Sequence, residues 1–228
     1  MKKMGVLIFA RMNSKRFPGK VLKKIFFDKN LLEIIFLRLK RFSNLKIVVC
    51  TSLSKNDDKI VKFCKKKKIK YFRGNLNNVF DRTVNCLKKY NFNSFVRVNA
   101  DRPFVDYIEI NKMIKIFNKN KVDIVTNKLS KNCPKGLISE VAKSKIFIDL
   151  EKKILKKNDK EHIFNFFYRN KKKYKIFNLK NKLYKKNYLK NLSIDRPNDL
   201  QKSKKIFNNF GNIYVSTKKI LNLNENKI

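Results

Sequence analysis

The 228 residues are 43% apolar, enough to fill the core of one domain of ordinary size, which excludes a largely disordered chain. The 58 lysine and arginine residues outnumber the 17 acidic residues and give a formal net charge of +41, which alone would favour a nucleic-acid or acidic-membrane partner. However, only 10 of the 58 are arginine, tryptophan is absent, and Asn, Ile and Phe are frequent. These frequencies indicate a bias toward amino acids with A/T-rich codons, which explains the excess of lysine without a function. We therefore expect most of the lysines on the solvated surface.

From residue 4 onward, short apolar runs alternate with segments of helical period, the pattern of βαβ units and a mostly parallel sheet. Strands are predicted over 4–10, 45–51, 69–74, 94–100 and 122–127, and helices over 31–42, 54–66, 78–90 and 105–120. Ser54 with Asp57 three residues later is typical of a helix N-cap with an acidic first turn. These elements predict an α/β fold with a Rossmann-like, mostly parallel sheet flanked by helices.

Beyond about residue 128 the alternation of short apolar runs with helical segments becomes less regular. We predict strands over 137–142, 174–179, 191–194 and 213–216, and helices over 143–155, 158–169 and 197–209. No internal repeat or linker is visible. The sequence therefore predicts a single domain over 1–216 with a small embedded α+β excursion over about 128–192, followed by a polar tail over 217–228 in which 222–228 should be frayed.

The cysteines and the N-terminus indicate the compartment. Cys50, Cys64, Cys86 and Cys133 form no CxxC pair, and the chain has one histidine, so buried free thiols are expected rather than a metal cluster. The apolar run 4–10 is too short for a signal peptide. No stretch approaches the roughly 18 apolar residues of a membrane span. We expect a soluble, cytoplasmic protein with reduced thiols and no membrane partner.

The loop after the first predicted strand, ARMNSKRFPGK over 10–20, contains Arg11, Arg16 and Lys20. In a parallel sheet, ligands bind beyond the carboxyl ends of the strands, and this loop leaves from such an end. Backbone amides of a loop with Ser and Gly, together with three cations, suit a polyphosphate. The alternative is an ordinary basic surface loop.

Arginine is scarce in this chain, so its positions are informative. A position that needs only positive charge would usually be lysine here, whereas arginine offers a rigid fork for bidentate phosphate contacts. Seven of the ten lie at or near predicted strand ends and loops: Arg11, Arg16, Arg73, Arg82, Arg97, Arg102 and Arg196. We expect two or three of these to be structural ion-pair partners.

The tripeptide Asp-Arg-Pro occurs at 101–103 and again at 195–197. Asp101 and Asp195 each end an apolar run before a predicted helix, so both should emerge at the same edge of the sheet. Two converging carboxylates suit Mg²⁺, which takes one or two carboxylates plus substrate phosphates. Helix capping is the alternative for each aspartate, but the nearby cationic loop favours a metal.

These motifs resemble those of the sugar cytidylyltransferases. ARMNSKRFPGK is similar to the signature ARxxSxRxPGK shared by the enzymes that make CMP-Kdo and CMP-sialic acids. Further segments follow in the order seen in the spore-coat polysaccharide branch of that family: RGNLNNVFDRTVNCLKKY, VRVNADRPFVD, PKG followed by Glu140, KEHIFNFFYRN and LSIDRPNDL. The likeness spans about residues 4–205 and implies the fold of the nucleotide-diphospho-sugar transferases.

The resemblance implies transfer of CMP from CTP to a sugar, with a 2-keto sugar acid as the expected acceptor, release of pyrophosphate, Mg²⁺ as cofactor and a homodimer, in surface polysaccharide or glycan biosynthesis. Carried over by position, the implied catalytic residues are Arg11, Arg16, Lys20 and Asp101, and the implied metal ligands are Asp101 and Asp195. The implied nucleotide-binding residues are Ala10, Arg11, Met12, Ser14, Arg16, Lys20, Arg73, Asp81, Arg82 and Asn99. Glu140 and His162 match positions on the sugar side, where His162 is either a base, a substrate-orienting residue or simply packed.

The chain departs from the family pattern at several positions. Ala100 stands where glycine is usual, so the backbone there has less freedom to approach the nucleotide closely. Arg102 replaces a small or acidic residue beside the metal site, where it either perturbs Mg²⁺ or adds a phosphate contact. Ile138 and Ser139 stand where acidic or polar residues are expected, which leaves the acceptor sugar open. One alternative is a nucleotidyltransferase or glycosyltransferase of similar fold that uses another nucleotide. A basic RNA-binding protein is a weaker alternative, because most of the 20 phenylalanines fall at core spacing rather than between exposed basic residues. We expect no specific nucleic-acid partner.

Overall fold

The computed structural model describes residues 3–41, 44–129, 132–151, 153, 156–187 and 189–223. Within these ranges, seven strands form one sheet in the order β5-β4-β1-β6-β8-β7-β9, and β2 and β3 form a separate hairpin. The strands are β1 (Met4–Phe9), β2 (Lys24–Phe26), β3 (Lys29–Asn30), β4 (Lys46–Ser52), β5 (Lys70–Gly74), β6 (Ser94–Asn99), β7 (Ile124–Thr126), β8 (Glu140–Lys143) and β9 (Ile176–Asn178). The helices are α1 (Leu31–Arg41), α2 (Asp58–Lys66), α3 (Val79–Tyr90), α4 (Tyr107–Lys119), α5 (Ser144–Ile148), α6 (Lys157–Glu161), α7 (Asn165–Arg169), α8 (Lys182–Lys185), α9 (Pro197–Phe210) and α10 (Thr217–Leu221).

The sheet is mostly parallel. β1 pairs in parallel with β4 and β6, and β4 pairs in parallel with β5. β8 runs antiparallel to both β6 and β7, while β9 is parallel to β7. The predicted α/β class is therefore confirmed, and the carboxyl ends of β1, β4 and β6 meet at one edge, where sheets of this kind bind ligands.

Both faces of the sheet are covered, because successive side chains of a strand point to opposite faces. On β1, Val6 and Ile8 belong to one buried cluster and Leu7 to the other. Phenylalanine fills much of the second cluster, where the ring of Phe147 contacts other phenylalanine rings. Its partners are Phe80, Phe95, Phe164 and Phe167. These rings serve as core, which argues against the RNA-binding interpretation.

The second half of the chain differs from prediction. β8 and β9, from the expected excursion, join the main sheet. The predicted strand 191–194 contributes only a single bridge, between Lys135 and Asn191. The predicted helix 158–169 is divided into α6 and α7, because buried Ile163 and Phe164 turn into the core between them. Of the predicted helix 143–155, residues 144–148 are helical, and residues 152, 154 and 155 lie outside the described residues.

The C-terminal region is more ordered than predicted. Residues 217–221, expected as part of a polar tail, form α10, whose Ile220 and Leu221 are buried. Lys190 Nζ donates to the carbonyls of Leu221 and Leu223 at 2.7 and 3.1 Å. The folded domain therefore extends past residue 216, and residues 224–228 lie outside the described residues.

The cysteines are free thiols as predicted, with three buried and Cys133 half-buried. None of the helices in the described ranges has the length and hydropathy that crossing a bilayer requires.

Residues 213–216, predicted as a strand, instead bond to the side chain of Arg38 on α1. The buried guanidinium of Arg38 donates to the carbonyls of Val105 (3.2 Å), Ile213 and Val215 (3.1 Å). Burial lowers the pKa of Arg38 to about 10. The 213–216 backbone thus bonds to a side chain rather than to a neighbouring strand.

Arg38→Met is expected to lower the free energy of unfolding by about 3–5 kcal/mol, because three buried carbonyls lose their donor. Urea denaturation measures the change. Arg41→Met is the control, since Arg41 is exposed and lies over the Tyr214 ring at 4.3 Å, a contact expected to contribute about 0.5–1 kcal/mol. Equal destabilisation by the two substitutions would contradict this account of Arg38.

Candidate functional site

The loop 10–20, which leaves the carboxyl end of β1, is folded around the backbone of Met12. The carbonyl of Met12 accepts the amides of Ser14 and Gly19 at 2.9 and 2.8 Å. Gly19 has φ +72°, a left-handed conformation that favours glycine, and it turns the chain into a short 3₁₀ helix that begins at Lys20. This turn directs Lys20 toward the end of β6.

Lys20 connects the two predicted carboxylates. Its buried ammonium lies 3.6 Å from Asp101 Oδ2 and 3.4 Å from Asp195 Oδ1, and it donates to the carbonyl of Ile194 at 2.5 Å. The amide of Ile194 in turn donates to the carbonyl of Asp101 at 2.8 Å. The two Asp-Arg-Pro segments, about 94 residues apart in the chain, therefore meet at the loop, as the sequence predicted.

Two exposed cations also contact Asp195. Arg16 Nη2 lies 2.8 Å from Oδ1, and Lys135 Nζ lies 2.5 Å from Oδ2, with the two cationic side chains 58% and 57% exposed. Burial would raise the pKa of Asp195, but the hydrogen bond from Lys135 and the charges of Lys20, Lys135 and Arg16 lower it overall. Asp195 is therefore ionised at neutral pH. Lys135, which follows Pro134 in the PKG motif, was not among the predicted site residues.

Gly136 brings the segment that carries Asp195 close to Lys135. Gly136 has φ +99°, and a Cβ at this position would lie 2.4 Å from the backbone of Leu192. The amide of Leu192 donates to the carbonyl of Lys135 at 2.8 Å. Only glycine permits this close approach.

A second charged cluster, which we call the Arg102 cluster, lies beside Asp101. It consists of Arg97, Arg102, Lys128, Glu140 and Tyr168. Glu140 is fully buried, with both oxygens 3.2 Å from Arg97 Nη1, and it accepts the Tyr168 hydroxyl at 3.3 Å.

The cations of the Arg102 cluster outnumber its one carboxylate. Burial lowers the pKa of Arg102, and the charge of Arg97 lowers it further. Burial also lowers the pKa of Lys128. The charges of Arg97 and Arg102 add to this second shift, and the charge of Glu140 opposes it. Arg102 Nε lies 3.8 Å from Asp101 Oδ1, while its buried Nη1 has no hydrogen-bond partner among the described residues. The cluster therefore presents an unsatisfied guanidinium donor next to Asp101.

Two of the predicted nucleotide-binding arginines are held by backbone carbonyls. Arg73 donates to the carbonyls of Ser52 and Ser54 at 2.9 and 3.0 Å and pairs with Asp58 at 2.7 Å. Arg82 is buried and donates to the carbonyl of Asn75 at 3.0 Å. Both arginines therefore have structural partners, as expected for two or three of the seven.

The remaining predicted residues occupy three places. Ala10 is the first residue of the loop 10–20, directly after β1, and Asn99 is the last residue of the neighbouring strand β6. Asp81 is on the first turn of α3 and lines a small cleft of about 60 Å³ with Glu151 and Lys160. His162 is exposed between α6 and α7 rather than inside a helix.

Two acidic residues that contact the loop were not among the predicted site residues. Glu161, the last residue of α6, accepts from Arg11 Nη2 at 3.2 Å. Asp57 accepts the amide of Met12 at 2.7 Å. Their partners are 150 and 45 residues away in the chain, so no local spacing indicated them.

The carboxylates fit a magnesium ion. The described part of the chain has no group of three or more His, Cys, Asp or Glu residues that could hold a metal. Asp101 and Asp195 nevertheless share Lys20, and buried Asp101 Oδ1 has no hydrogen-bond partner there. Two carboxylates are what Mg²⁺ usually takes from a protein when substrate phosphates supply further ligands.

Comparison with known proteins identifies the family of the chain. A model of the cytidylyltransferase family matches residues 5–221. An uncharacterised protein of Methanocaldococcus jannaschii is 33% identical over 97% of this chain and 89% of its own length. The spore coat polysaccharide biosynthesis protein SpsF of Bacillus subtilis is 29% identical over 69% of this chain and 66% of its own length.

A solved structure is similar over nearly the whole chain. It is that of a cytidylyltransferase from Leptospira borgpetersenii serovar Hardjo-bovis, with a TM-score of 0.90 and 28% identity, covering 97% of this chain and 92% of that one. The family match, the relatives and the fold agree along the length of the domain. The chain belongs to the cytidylyltransferase family.

Proposed function

We propose that the protein transfers CMP from CTP to an acidic sugar and releases pyrophosphate. The observation that carries the proposal is the ammonium of Lys20, shared by Asp101 and Asp195 at the end of a loop with three further cations. A triphosphate carries about four negative charges, and cations on a loop beside a parallel sheet suit it. The carboxylates suit the divalent ion that accompanies a nucleoside triphosphate.

In the proposed reaction, a sugar hydroxyl oxygen bonds to the α-phosphorus while the bond from that phosphorus to the bridging oxygen of the β-phosphate breaks. The hydroxyl releases its proton to solvent water, and pyrophosphate leaves with the electron pair of the broken bond. Arg11, Arg16 and Lys20 would neutralise this growing charge, which is usually the largest contribution to catalysis. Mg²⁺ held by Asp101 and Asp195 would supply Lewis-acid stabilisation of the phosphate oxygens.

The exposed cations are free to change partners. Arg16 and Lys135 contact Asp195, but more than half of each cationic side chain is exposed to solvent, and Asp195 also contacts the ammonium of Lys20. Because the two cations lie largely in solvent, exchanging the carboxylate for a phosphate costs little. We propose that Arg16 and Lys135 move to phosphate oxygens when the nucleotide binds.

The Arg102 cluster supports an anionic acceptor. Three cations face one carboxylate, and Arg102 Nη1 is buried without a partner among the described residues. A carboxylate on the acceptor, as in a 2-keto sugar acid, would satisfy this donor with a charge-assisted hydrogen bond. The relative named for spore coat polysaccharide biosynthesis supports an acceptor used in a surface glycan.

A panel of nucleoside triphosphates and sugars tests the reaction. With Mg²⁺ present, the enzyme is incubated with CTP, UTP, GTP, ATP or dTTP and with neutral or acidic sugars, and pyrophosphate release is measured. We expect release with CTP and an acidic sugar. Turnover with another nucleotide only would support the alternative nucleotidyltransferase.

On the family resemblance we also propose that the protein is a homodimer in the cytoplasm. Light scattering tests the dimer.

Arg102→Leu is expected to raise the KM for the acidic acceptor by about 10- to 100-fold, because a charged hydrogen bond is lost. The affinity for CTP alone should change by less. Arg196→Leu is the matched control, since Arg196 is exposed and occupies the same position in the second Asp-Arg-Pro segment. If Arg102→Leu used the acidic acceptor as well as the control, the acceptor's anionic group would not bind at this cluster.

A further inference from the structure

Asp57 has a buried carboxylate that contacts both the loop 10–20 and the end of β4. It is 1% exposed; its Oδ1 accepts the amide of Met12 at 2.7 Å, and its Oδ2 accepts the amide of Ser52 at 3.1 Å and the Ser52 hydroxyl at 2.5 Å. A buried carboxylate is costly unless its oxygens are hydrogen-bonded. Here those bonds join the loop 10–20 to the end of β4.

The bond to Met12 reaches the centre of the loop. Asp57 holds the Met12 amide, and the Met12 carbonyl holds the amides of Ser14 and Gly19. Gly19 leads directly into Lys20, whose ammonium contacts both site carboxylates. A short path of hydrogen bonds therefore connects Asp57 to the residue at the centre of the site.

A second contact runs beside the first. Asn56 Nδ2 donates to Asn13 Oδ1 at 2.9 Å, so two consecutive residues after β4 bond to two consecutive residues of the loop. Asn13, Lys15 and Arg16 are exposed, and a loop with exposed side chains has little packing of its own to keep one conformation. Anchoring from the neighbouring segment supplies that order.

We propose that Asp57 is a positioning residue that holds the loop 10–20 in its nucleotide-binding conformation before the nucleotide arrives. The proposal rests on the proposed function of that loop. Ordering the loop in advance lowers the entropy lost on binding, so the effect falls on nucleotide affinity. Asp57 touches neither the nucleotide nor the acceptor in this role and acts through Met12 and Lys20.

The test compares Asp57→Ala and Asp57→Asn with Asp123→Ala in the full chain. Asp123 is a matched control because it also accepts a backbone amide, that of Lys175 at 2.9 Å, and pairs with Lys143 at 2.8 Å. It precedes β7, at the opposite edge of the sheet from the loop. Both substitutions remove a carboxylate that accepts a backbone amide, but only the substitution of Asp57 removes a hydrogen bond to the loop 10–20.

Two readouts are used. Hydrogen exchange of residues 10–20 in the nucleotide-free protein should accelerate about 10-fold in Asp57→Ala and stay at the wild-type rate in Asp123→Ala. The dissociation constant for CTP with Mg²⁺ should rise about 10- to 100-fold in Asp57→Ala, with the KM for the acceptor unchanged. Asp57→Asn keeps one acceptor oxygen for Met12, so its exchange rate and its dissociation constant for CTP should lie between those of wild type and Asp57→Ala. If Asp57→Ala does not fold, Asp57→Asn is used in its place.

Wild-type exchange in the loop of Asp57→Ala, or an equal effect of Asp123→Ala on the loop, would overturn the proposal. Failure of the wild-type protein to bind CTP would instead contradict the proposed function. In that case the exchange rates still decide whether Asp57 orders the loop.

Discussion

Asp101→Asn is expected to lower the rate of CTP-dependent pyrophosphate release by about a thousandfold or more. Asparagine preserves the shape of the side chain but removes the charge that faces Lys20 at 3.6 Å, and it replaces one carboxylate oxygen with an amide nitrogen, which does not bind a divalent ion. The fold should persist, because Asp101 is partly exposed and α4 begins only at Tyr107. A coupled pyrophosphate assay and a thermal melt measure the two properties.

Asp149→Asn is the control for this change. Asp149 is exposed near the end of α5, where it pairs with Lys145 at 3.0 Å. We expect its activity to match wild type. Activity of Asp101→Asn within about tenfold of wild type would contradict the metal assignment, since charge at the reacting phosphate normally contributes more.

Lys20→Met is expected to lower both activity and stability. Methionine fills a similar volume but leaves Asp101 and Asp195 without the ammonium that they share, and the carbonyl of Ile194 loses its donor. Breaking one partner from a buried ionic group typically costs about 3–5 kcal/mol. We expect a loss of that order in urea denaturation and about a thousandfold lower turnover.

Lys145→Met removes an exposed ammonium from a surface ion pair and serves as the control. Such pairs contribute about 0–1 kcal/mol. If Lys20→Met and Lys145→Met unfold at the same urea concentration, the ammonium of Lys20 does not hold the two carboxylates together. If Lys20→Met is stable but inactive, its role is confined to the nucleotide.

The first half of the fold follows from the sequence because each strand is a short apolar run and each helix has a clear period. β1, β4, β5 and β6 start and end within two residues of their predicted bounds. The hairpin β2–β3 was missed because Lys24, Lys29 and Asn30 are polar residues that mark no strand. The strand predicted over 213–216 is apolar, but Arg38 takes its carbonyls, and no local pattern shows a partner 175 residues away.

The candidate site was predicted where motifs carry the chemistry. Scarce arginines and the repeated Asp-Arg-Pro identified Arg16, Asp101 and Asp195, which the structure brings together around Lys20. Lys135 was missed because one more lysine carries no information in a chain with 58 basic residues. Asp57 was interpreted as a first-turn acid, whereas its carboxylate bonds to Met12 and Ser52, a contact that depends on the order of β4 and β1 in the sheet.

A crystal structure of the protein with CTP and Mg²⁺ would show where the triphosphate and the metal ion bind. We predict that the triphosphate lies against the loop 10–20, that Mg²⁺ is bound by Asp101 and Asp195, and that Arg16 has left Asp195 for a phosphate oxygen. A triphosphate bound away from this loop, or a metal ion that contacts neither carboxylate, would contradict it.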